Sequence, residues 1–244
     1  MAGSTQSAAA SGFAWPSARV SLLVALGTTV VVTLASHLVP EAHANTAVGV
    51  TFLGVTWFVA LRGDTEAVRA YGLSLGGLTE PVKIDTRRIL VDTAKACGWA
   101  LLMAAIFFPP FWIGFKLWWN VSGSFTLAFP TDLGDQVLGQ LLVIALPEEA
   151  FFRGYLQSAL DGRGARYRKR VLGAEIGLGW LLSAAIFALG HLLTIPHPSR
   201  LGVFFPALVF GWLRARTGGI GAPVLFHLMC NLYSTMLAQG YGLQ

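Results

Sequence analysis

One apolar segment of the sequence contains charged side chains whose types could do acid-base chemistry. It reads LLVIALPEEAFFRGYL and includes Glu148, Glu149 and Arg153. An ionised side chain near the centre of a membrane-spanning helix costs ~2.5–3.5 kcal/mol, so these residues require a polar cavity or partners. Glu149 and Arg153 are four residues apart on one helical face, where they can pair. Glu148 is rotated from them by about 100° and can face elsewhere.

Two further apolar segments carry histidine and asparagine. SAAIFALGHLL places His191 on the same helical face as Phe187, and GAPVLFHLMCNLYS places His227 and Asn231 together on one face. A single histidine in a membrane helix often does no more than hydrogen-bond a neighbouring helix, and a His and Asn pair can do the same. Because all these polar residues occur in otherwise apolar segments, we favour a shared polar site over packing alone.

Together these side chains supply what peptide hydrolysis requires. The reaction needs a base that activates water, donors for the developing oxyanion and an acid for the leaving amine. Glu148 can act as the general base, and His191 can help to hold or deprotonate the water. No Ser or Cys in the sequence has suitable partners at a matching spacing, which argues against a covalent acyl-enzyme.

The composition predicts that membrane-spanning helices position these residues. Of the 244 residues, 55% are hydrophobic and only 12% are charged, whereas soluble domains carry about 25% charged residues. Apolar windows long enough to cross a bilayer predict an all-α polytopic membrane protein with about seven helices. The site is expected between the fourth, fifth and seventh. The windows are 20–38, 44–61, 96–115, 133–160, 176–193, 201–213 and 220–239; the sixth is short and contains Pro206.

These windows divide the chain into a predicted disordered tail at 1–18, N-terminal transmembrane helices with an interfacial loop at 19–132, and a catalytic membrane core at 133–240. The tail is rich in Ala, Ser and Gly, which is typical of disordered ends. Within the loop between the second and third helices, 63–94 predicts a short amphipathic helix at the membrane surface. The segment 116–135 is expected to form a loop on the opposite side.

The basic residues predict the orientation of the bundle. Fourteen of the 17 Lys and Arg residues fall on one side of the predicted helices, and such a bias marks the cytoplasmic side. We therefore expect a membrane protein with a cytoplasmic N-terminus, and no nucleic-acid binding. The fourteen residues are Arg19, Arg62, Arg69, Lys83, Arg87, Arg88, Lys95, Arg163, Arg166, Arg168, Lys169, Arg170, Arg214 and Arg216.

The ordered set of motifs resembles that of the CPBP family, which comprises CAAX proteases and bacteriocin-processing enzymes. The resemblance covers roughly 133–240. The motifs, in chain order, are Glu148-Glu149-x-x-x-Arg153, Phe187-x-x-x-His191 and His227-x-x-x-Asn231.

The resemblance implies a mainly helical, glutamate-dependent intramembrane endopeptidase without a cofactor or a metal. It implies that His227 and Asn231 contribute to the oxyanion site, and that Glu149 with Arg153 supports the catalytic helix. The implied substrate is a membrane-anchored protein cut near its C-terminus, at a CAAX-like or sorting signal.

The depth of the residues along the helices predicts the side to which the site opens. If the fourth helix runs inward from about residue 133, Glu148 lies ~20 Å below the outer surface, at 1.5 Å per residue. His191 lies close to the outer end of its own helix, which precedes Pro196. An outer opening favours an exported substrate, as for the myxosortase-like branch of the family, over a prenylated cytosolic one. The resemblance to this bacterial branch implies a location in the bacterial inner membrane.

Two other functions fit the same residues. His191, His227 and a carboxylate could ligate Zn²⁺ in a metalloprotease, although the sequence contains no H-E-x-x-H motif. A transporter could also place Glu and His in the middle of the membrane, and an immunity or scaffold protein could reuse the fold.

Overall fold

The structure is a computed structural model that describes residues 13–63, 65–127, 132–162 and 168–243. The described residues form eight helices, and the seven long ones coincide with the seven predicted windows, which confirms the all-α membrane fold. The helices are α1 Ala18–Leu38, α2 Glu41–Leu61, α3 Thr65–Ala70, α4 Thr86–Trp118, α5 133–161, α6 Leu178–Thr194, α7 Phe204–Thr217 and α8 Gly221–Gly240.

Helices α1, α2 and α4 are long and apolar enough to cross a membrane, and their large apolar side chains are widely exposed. Helix α5 differs from them because residues 147–159 are buried throughout. It contacts α2, α6, α7 and α8. The charged helix is therefore the centre of the bundle, where protein rather than lipid surrounds its polar side chains.

Contacts between the connections define two ends of the bundle. At one end, which we call the Glu41 end, the imidazole Nε2 of His37 lies 3.1 Å from the Leu193 carbonyl oxygen. The segment before α7, Pro198–Val203, is a 3₁₀ turn at this same end. At the other end, the Gly72 end, the Ile220 amide donates to the Gly72 carbonyl oxygen at 3.0 Å. The described members of the fourteen-residue basic set lie in segments at the Gly72 end.

Part of the predicted disordered tail packs against the bundle. Phe13 and Trp15 pack edge-to-face against Tyr71 with ring centroids 5.4 and 5.1 Å away. The hydroxyl of Ser17 caps α1 by accepting from the Val20 amide. The predicted tail 1–18 thus includes ordered residues from 13 onward, because aromatic side chains anchor them to the bundle. Residues 1–12 lie outside the described part of the chain.

The connection at 63–94 is more helical than predicted. Helix α3 has only six residues, and α4 begins at Thr86, where the Asp85 carboxylate accepts from the Arg88 amide. The buried carboxylate of Glu80 ties the connection to α4 through ion pairs with Arg69 and Arg88. These two guanidinium groups lower the pKa of Glu80 well below its ordinary value.

Two other connections also differ from the prediction. Lys169–Val171 (β1) and Ala174–Ile176 (β2) form an antiparallel hairpin with Lys169 opposite Ile176. Its turn residue Gly173 has φ +80°, which favours glycine. In the predicted loop at 116–135, α4 continues to Trp118 and α5 begins at residue 133. Residues 128–131 and 163–167 are outside the described part.

Candidate active site

Glu149 and Arg153 form the ion pair that their spacing predicts. Arg153 Nη1 lies 2.9 Å from Glu149 Oε1, and both side chains are at most 1% exposed. The same guanidinium donates to the Ala207 carbonyl oxygen at 3.3 Å. It also lies over the rings of Phe187 and Phe210, 4.4 and 5.1 Å from their centroids. The pair therefore links α5 to α6 and α7.

His227 lies between the two adjacent carboxylates. Its Nδ1 is 2.9 Å from Glu149 Oε1, and its Nε2 is 3.8 Å from Glu148 Oε2. The Phe210 ring stacks on the imidazole at 4.8 Å, with 16° between the planes. An ionised carboxylate only accepts hydrogen bonds, so the proton of the 2.9 Å contact belongs to Nδ1. Nε2 is thereby directed toward Glu148.

His191 is held by its own helix. Its Nδ1 lies 3.0 Å from the carbonyl oxygen of Phe187, one turn earlier. A carbonyl oxygen accepts, so Nδ1 carries the proton and Nε2 keeps a free lone pair in the neutral ring. As their spacing predicts, Phe187 and His191 lie on the same face of α6. His191 lines the same cavity as Glu148 and His227.

Asn231 is oriented by a residue that the sequence reasoning did not select. Its Nδ2 donates to Gln140 Oε1 at 2.8 Å, across α8 and α5. Gln140 is eight residues before Glu148, and i, i+8 positions share a helical face. Gln140 could have been predicted as a site residue, because it is a polar residue in an apolar segment and shares a helical face with Glu148.

The helix that carries Glu148 and Glu149 is irregular on both sides of them. Gly139–Ala145 and Ala150–Gln157 are π-helical, and only the short stretch between them is α-helical. Pro147 has no amide proton, so it cannot satisfy a carbonyl of the preceding turn. Gly49 of α2 approaches so closely that a Cβ there would collide with the Val143 carbonyl oxygen. Single π turns occur frequently at functional sites.

The six predicted site residues are brought together, four of them around a common cavity of about 610 Å³. Glu148, His191, His227 and Asn231 line it, while Glu149 and Arg153 are buried behind Glu148. Glu148 Oε2 has no hydrogen-bond partner in the described part of the chain. From the site the cavity extends toward the Glu41 end, where Glu41 and Arg200 also line it. It is within the size range of small-ligand sites, roughly 300–1,000 Å³.

Residues 134–233 match the family described as Type II CAAX prenyl endopeptidase Rce1-like. Over these 100 of the 244 residues the chain is similar to the CAAX proteases of the CPBP family, in agreement with the resemblance of its motifs. The matched segment includes α6, α7 and all six site residues. The match and the apolar helices indicate an integral membrane peptidase. No curated protein and no solved structure matches the chain.

Proposed function

We propose that this protein is an intramembrane endopeptidase in which Glu148 activates a water molecule for direct attack on a peptide bond. The observation that carries the proposal is the position of Glu148. Its carboxylate borders a cavity together with two imidazoles and the Asn231 amide, and its Oε2 has no hydrogen-bond partner among the described residues. The family match supports peptide hydrolysis as the reaction.

In the first step Glu148 takes a proton from water as the water oxygen attacks the carbonyl carbon. The free Nε2 lone pair of His191 can accept the other water proton in a hydrogen bond and so orient the nucleophile. When the tetrahedral intermediate collapses, the C–N bond breaks and Glu148 returns its proton to the leaving amine. No covalent enzyme intermediate is required.

His227 serves the oxyanion in the proposed mechanism, and its contacts specify its charge. Because Nδ1–H already donates to Glu149, Nε2 can donate to an oxyanion only when it too is protonated. The active ring is then an imidazolium, which lies between the carboxylates of Glu148 and Glu149. An imidazolium is a stronger donor for a developing negative charge than a neutral ring.

Asn231 supplies the second donor for the oxyanion. One N–H of its Nδ2 is engaged by Gln140, which fixes the plane of the amide and leaves the other N–H free for the substrate. Fixed donors require no reorganisation when charge develops, and this is the main source of their catalytic effect. The Glu149–Arg153 pair holds the catalytic helix and, through Glu149, the tautomer of His227.

We further propose that the Gly72 end faces the cytoplasm of a bacterial cell and that the cavity opens on the outer side. The concentration of basic residues at the Gly72 end supports this orientation. The substrate is then a membrane-anchored, exported protein cut near its C-terminus, as in the myxosortase-like branch, rather than a prenylated cytosolic protein.

Single cysteines test the orientation. Ser124 is exposed before α5, and Leu172 is 83% exposed in the hairpin turn. With Cys97 and Cys230 replaced by alanine, we expect a membrane-impermeant maleimide to label Ser124→Cys in intact spheroplasts, and Leu172→Cys only after lysis. The reverse pattern would invert the topology and make a cytosolic, CAAX-type substrate the better proposal.

Glu148→Gln tests the chemistry. Glutamine keeps the shape of the side chain but cannot take a proton, so we expect substrates with intact C-terminal segments to accumulate in the membrane proteome of these cells. The control variant is Glu66→Gln, an exposed carboxylate on α3, which should process normally. Normal processing by Glu148→Gln protein would remove Glu148 as the base.

A chelator separates this mechanism from a zinc mechanism. We expect purified enzyme to keep its Glu148-dependent activity in EDTA, since the proposed base and oxyanion donors are all protein groups. Inactivation by EDTA that Zn²⁺ reverses would establish the metalloprotease alternative instead.

A further inference from the structure

The cavity wall contains a cation that the proposed reaction does not use. Arg200 lies in the 3₁₀ turn Pro198–Val203 at the Glu41 end. The described residues give its guanidinium no ion pair, and its buried Nε has no hydrogen-bond partner among them. The guanidinium of Arg153, by contrast, pairs with Glu149 and donates to the Ala207 carbonyl oxygen. An unsatisfied guanidinium beside apolar surface is costly unless an anion binds there.

Arg200 lies where the active-site cavity meets a second cavity of about 640 Å³. We call this second cavity the aromatic groove. Arg200, Val203, Pro206 and Cys230 line both. Of the described residues that line the groove, only Arg200 is charged, and the others are largely aromatic side chains of α4 and their neighbours. The groove is lined by Phe107, Phe108, Phe111, Phe115, Trp118 and Trp119, among others.

A ligand that fits both features must carry one anionic group directly next to apolar groups. We propose that Arg200 binds the C-terminal α-carboxylate of the substrate, while the apolar side chains of the last residues occupy the aromatic groove. A guanidinium binds a carboxylate through two parallel N–H···O bonds, which also fixes its orientation. This inference rests on the proposed peptidase function and makes Arg200 a specificity-determining residue.

In this arrangement the cleaved peptide bond is determined by its distance from the C-terminus of the substrate. One continuous space contains Glu148 at one position and Arg200 at another. A chain whose terminal carboxylate is fixed on Arg200 presents a defined peptide bond to Glu148, because the number of residues between the two positions is set by the cavity. A long polypeptide that passes through the membrane without ending there has no carboxylate to place on Arg200.

Binding can be measured separately from catalysis. The probe is a pool of short synthetic peptides with random apolar residues at the last positions, prepared once with a free C-terminal acid and once as the amide. Glu148→Gln protein in phosphatidylcholine nanodiscs captures peptides from the mixed pools, and mass spectrometry counts them. We expect the free acids to be enriched over the amides by roughly tenfold to a hundredfold, as for a hydrogen bond to a charged group.

Variants of Arg200 decide whether this cation is responsible. In the Glu148→Gln background, Arg200→Gln should bring the acid-to-amide ratio to about one, while Arg200→Lys should keep part of the preference. Arg87→Gln, at an exposed arginine of the Gly72 end, should leave the ratio unchanged. Loss of packing alone would lower capture of both pools equally and leave the ratio intact. An unchanged ratio in Arg200→Gln protein, or no acid preference to begin with, overturns the proposal.

Two other anions are distinguished in the same experiment. A pool of amides that carry an internal Asp or Glu should bind no better than the plain amides; equal capture with the free acids would assign Arg200 to an acidic side chain. Nanodiscs of phosphatidylglycerol should preserve the acid preference; its disappearance there would assign Arg200 to a lipid phosphate. Either result overturns the proposal.

The proposed peptidase function can fail separately. Wild-type protein is incubated with the same pools, and Glu148-dependent cleavage is scored. If the acid preference depends on Arg200 but no pool is cleaved, the carboxylate site stands and the catalytic proposal falls. If cleavage depends on Glu148 but free acids and amides are cut alike, the catalytic proposal stands and the role of Arg200 falls.

Discussion

Replacing Glu149 with glutamine is expected to destabilise the protein far more than replacing Arg153 with methionine. In Glu149→Gln protein the guanidinium of Arg153, only 1% exposed, loses the carboxylate that lies 2.9 Å from it. Removing one member of a buried ion pair costs about 3–5 kcal/mol, because the other charge is left without compensation. A guanidinium cannot shed its charge in response.

The reverse change leaves a milder defect. Methionine at position 153 keeps most of the apolar volume between Phe187 and Phe210, and Glu149 still accepts from His227 at 2.9 Å. A carboxyl group can also be neutralised by a proton, which a guanidinium cannot achieve. Arg153→Met protein loses the cation–π contacts and the hydrogen bond to Ala207, which together should lower the free energy of unfolding by about 1–3 kcal/mol.

A double-mutant cycle measures the coupling free energy between Glu149 and Arg153. The double variant Glu149→Gln/Arg153→Met should be about as stable as Arg153→Met alone, so the coupling free energy between the two residues equals the cost of Glu149→Gln, about 3–5 kcal/mol. At roughly 2–4 °C per kcal/mol for a chain of this length, Glu149→Gln should melt roughly 6–20 °C below wild type. Intrinsic tryptophan fluorescence during heating in one detergent follows all four proteins.

An exposed pair on α4 provides the control. Lys95 Nζ lies 3.7 Å from Asp92 Oδ1, with side chains 70% and 44% exposed. The cycle of Asp92→Asn and Lys95→Met should give a coupling of only about 0–0.5 kcal/mol, as for other surface pairs. If the buried cycle shows no more coupling than this one, the charge of Arg153 is not compensated by Glu149 and the reasoning is refuted.

Three further outcomes are expected. Glu80→Gln should lower the melting temperature at neutral pH, and the difference should shrink progressively as the pH falls from about 4 toward the lowered pKa of Glu80, since the carboxylate with the lowered pKa stabilises the fold only while ionised; a difference that stays constant over that range would contradict this. Gln140→Leu should lower kcat about tenfold with little change in KM, because Asn231 loses its fixed orientation, and Gln140→Glu should restore it; equal effects of both variants would assign Gln140 to packing. Gly49→Ala should cost about 1–3 kcal/mol through its clash with α5, whereas Gly54→Ala, with open space around it, should be neutral or stabilising; similar melting curves would show that α2 can move aside.

The sequence was most informative where one helix contains the whole relationship. The spacing of Glu149 and Arg153 predicted their ion pair, and the spacing of Phe187 and His191 predicted a shared face. Both predictions follow from the fixed rise and rotation per residue of a helix, which relate any two positions within the same helix. The windows of apolar residues located the seven long helices for the same reason, since the length of a span is set by the bilayer.

Contacts between helices could not be read from the sequence in the same way. Glu149 and His227 are 78 residues apart, and their contact depends on how α8 packs against α5. The stacking of Phe210 on His227 could not be predicted either, because nothing in the sequence distinguishes Phe210 from the other phenylalanines among the 16. The hairpin after residue 168 was missed because its strands have only three residues each, too few for an alternating pattern to be visible.

The relation between Glu148 and Glu149 shows why adjacent carboxylates suit this site. On a helix, neighbouring side chains diverge by about 100°, so they cannot both pair with Arg153. An imidazole placed across that angle presents one nitrogen to each, and His227 does so with Nδ1 at 2.9 Å from Glu149 and Nε2 at 3.8 Å from Glu148. The carboxylate of Glu149 pairs with Arg153 and fixes the imidazole ring, while the carboxylate of Glu148 faces only that ring and the cavity. In the proposed mechanism, two residues of identical chemistry acquire different tasks from the rotation of about 100° between adjacent helical positions. Exchanging either for glutamine should separate the tasks: the fold fails at Glu149 and turnover fails at Glu148.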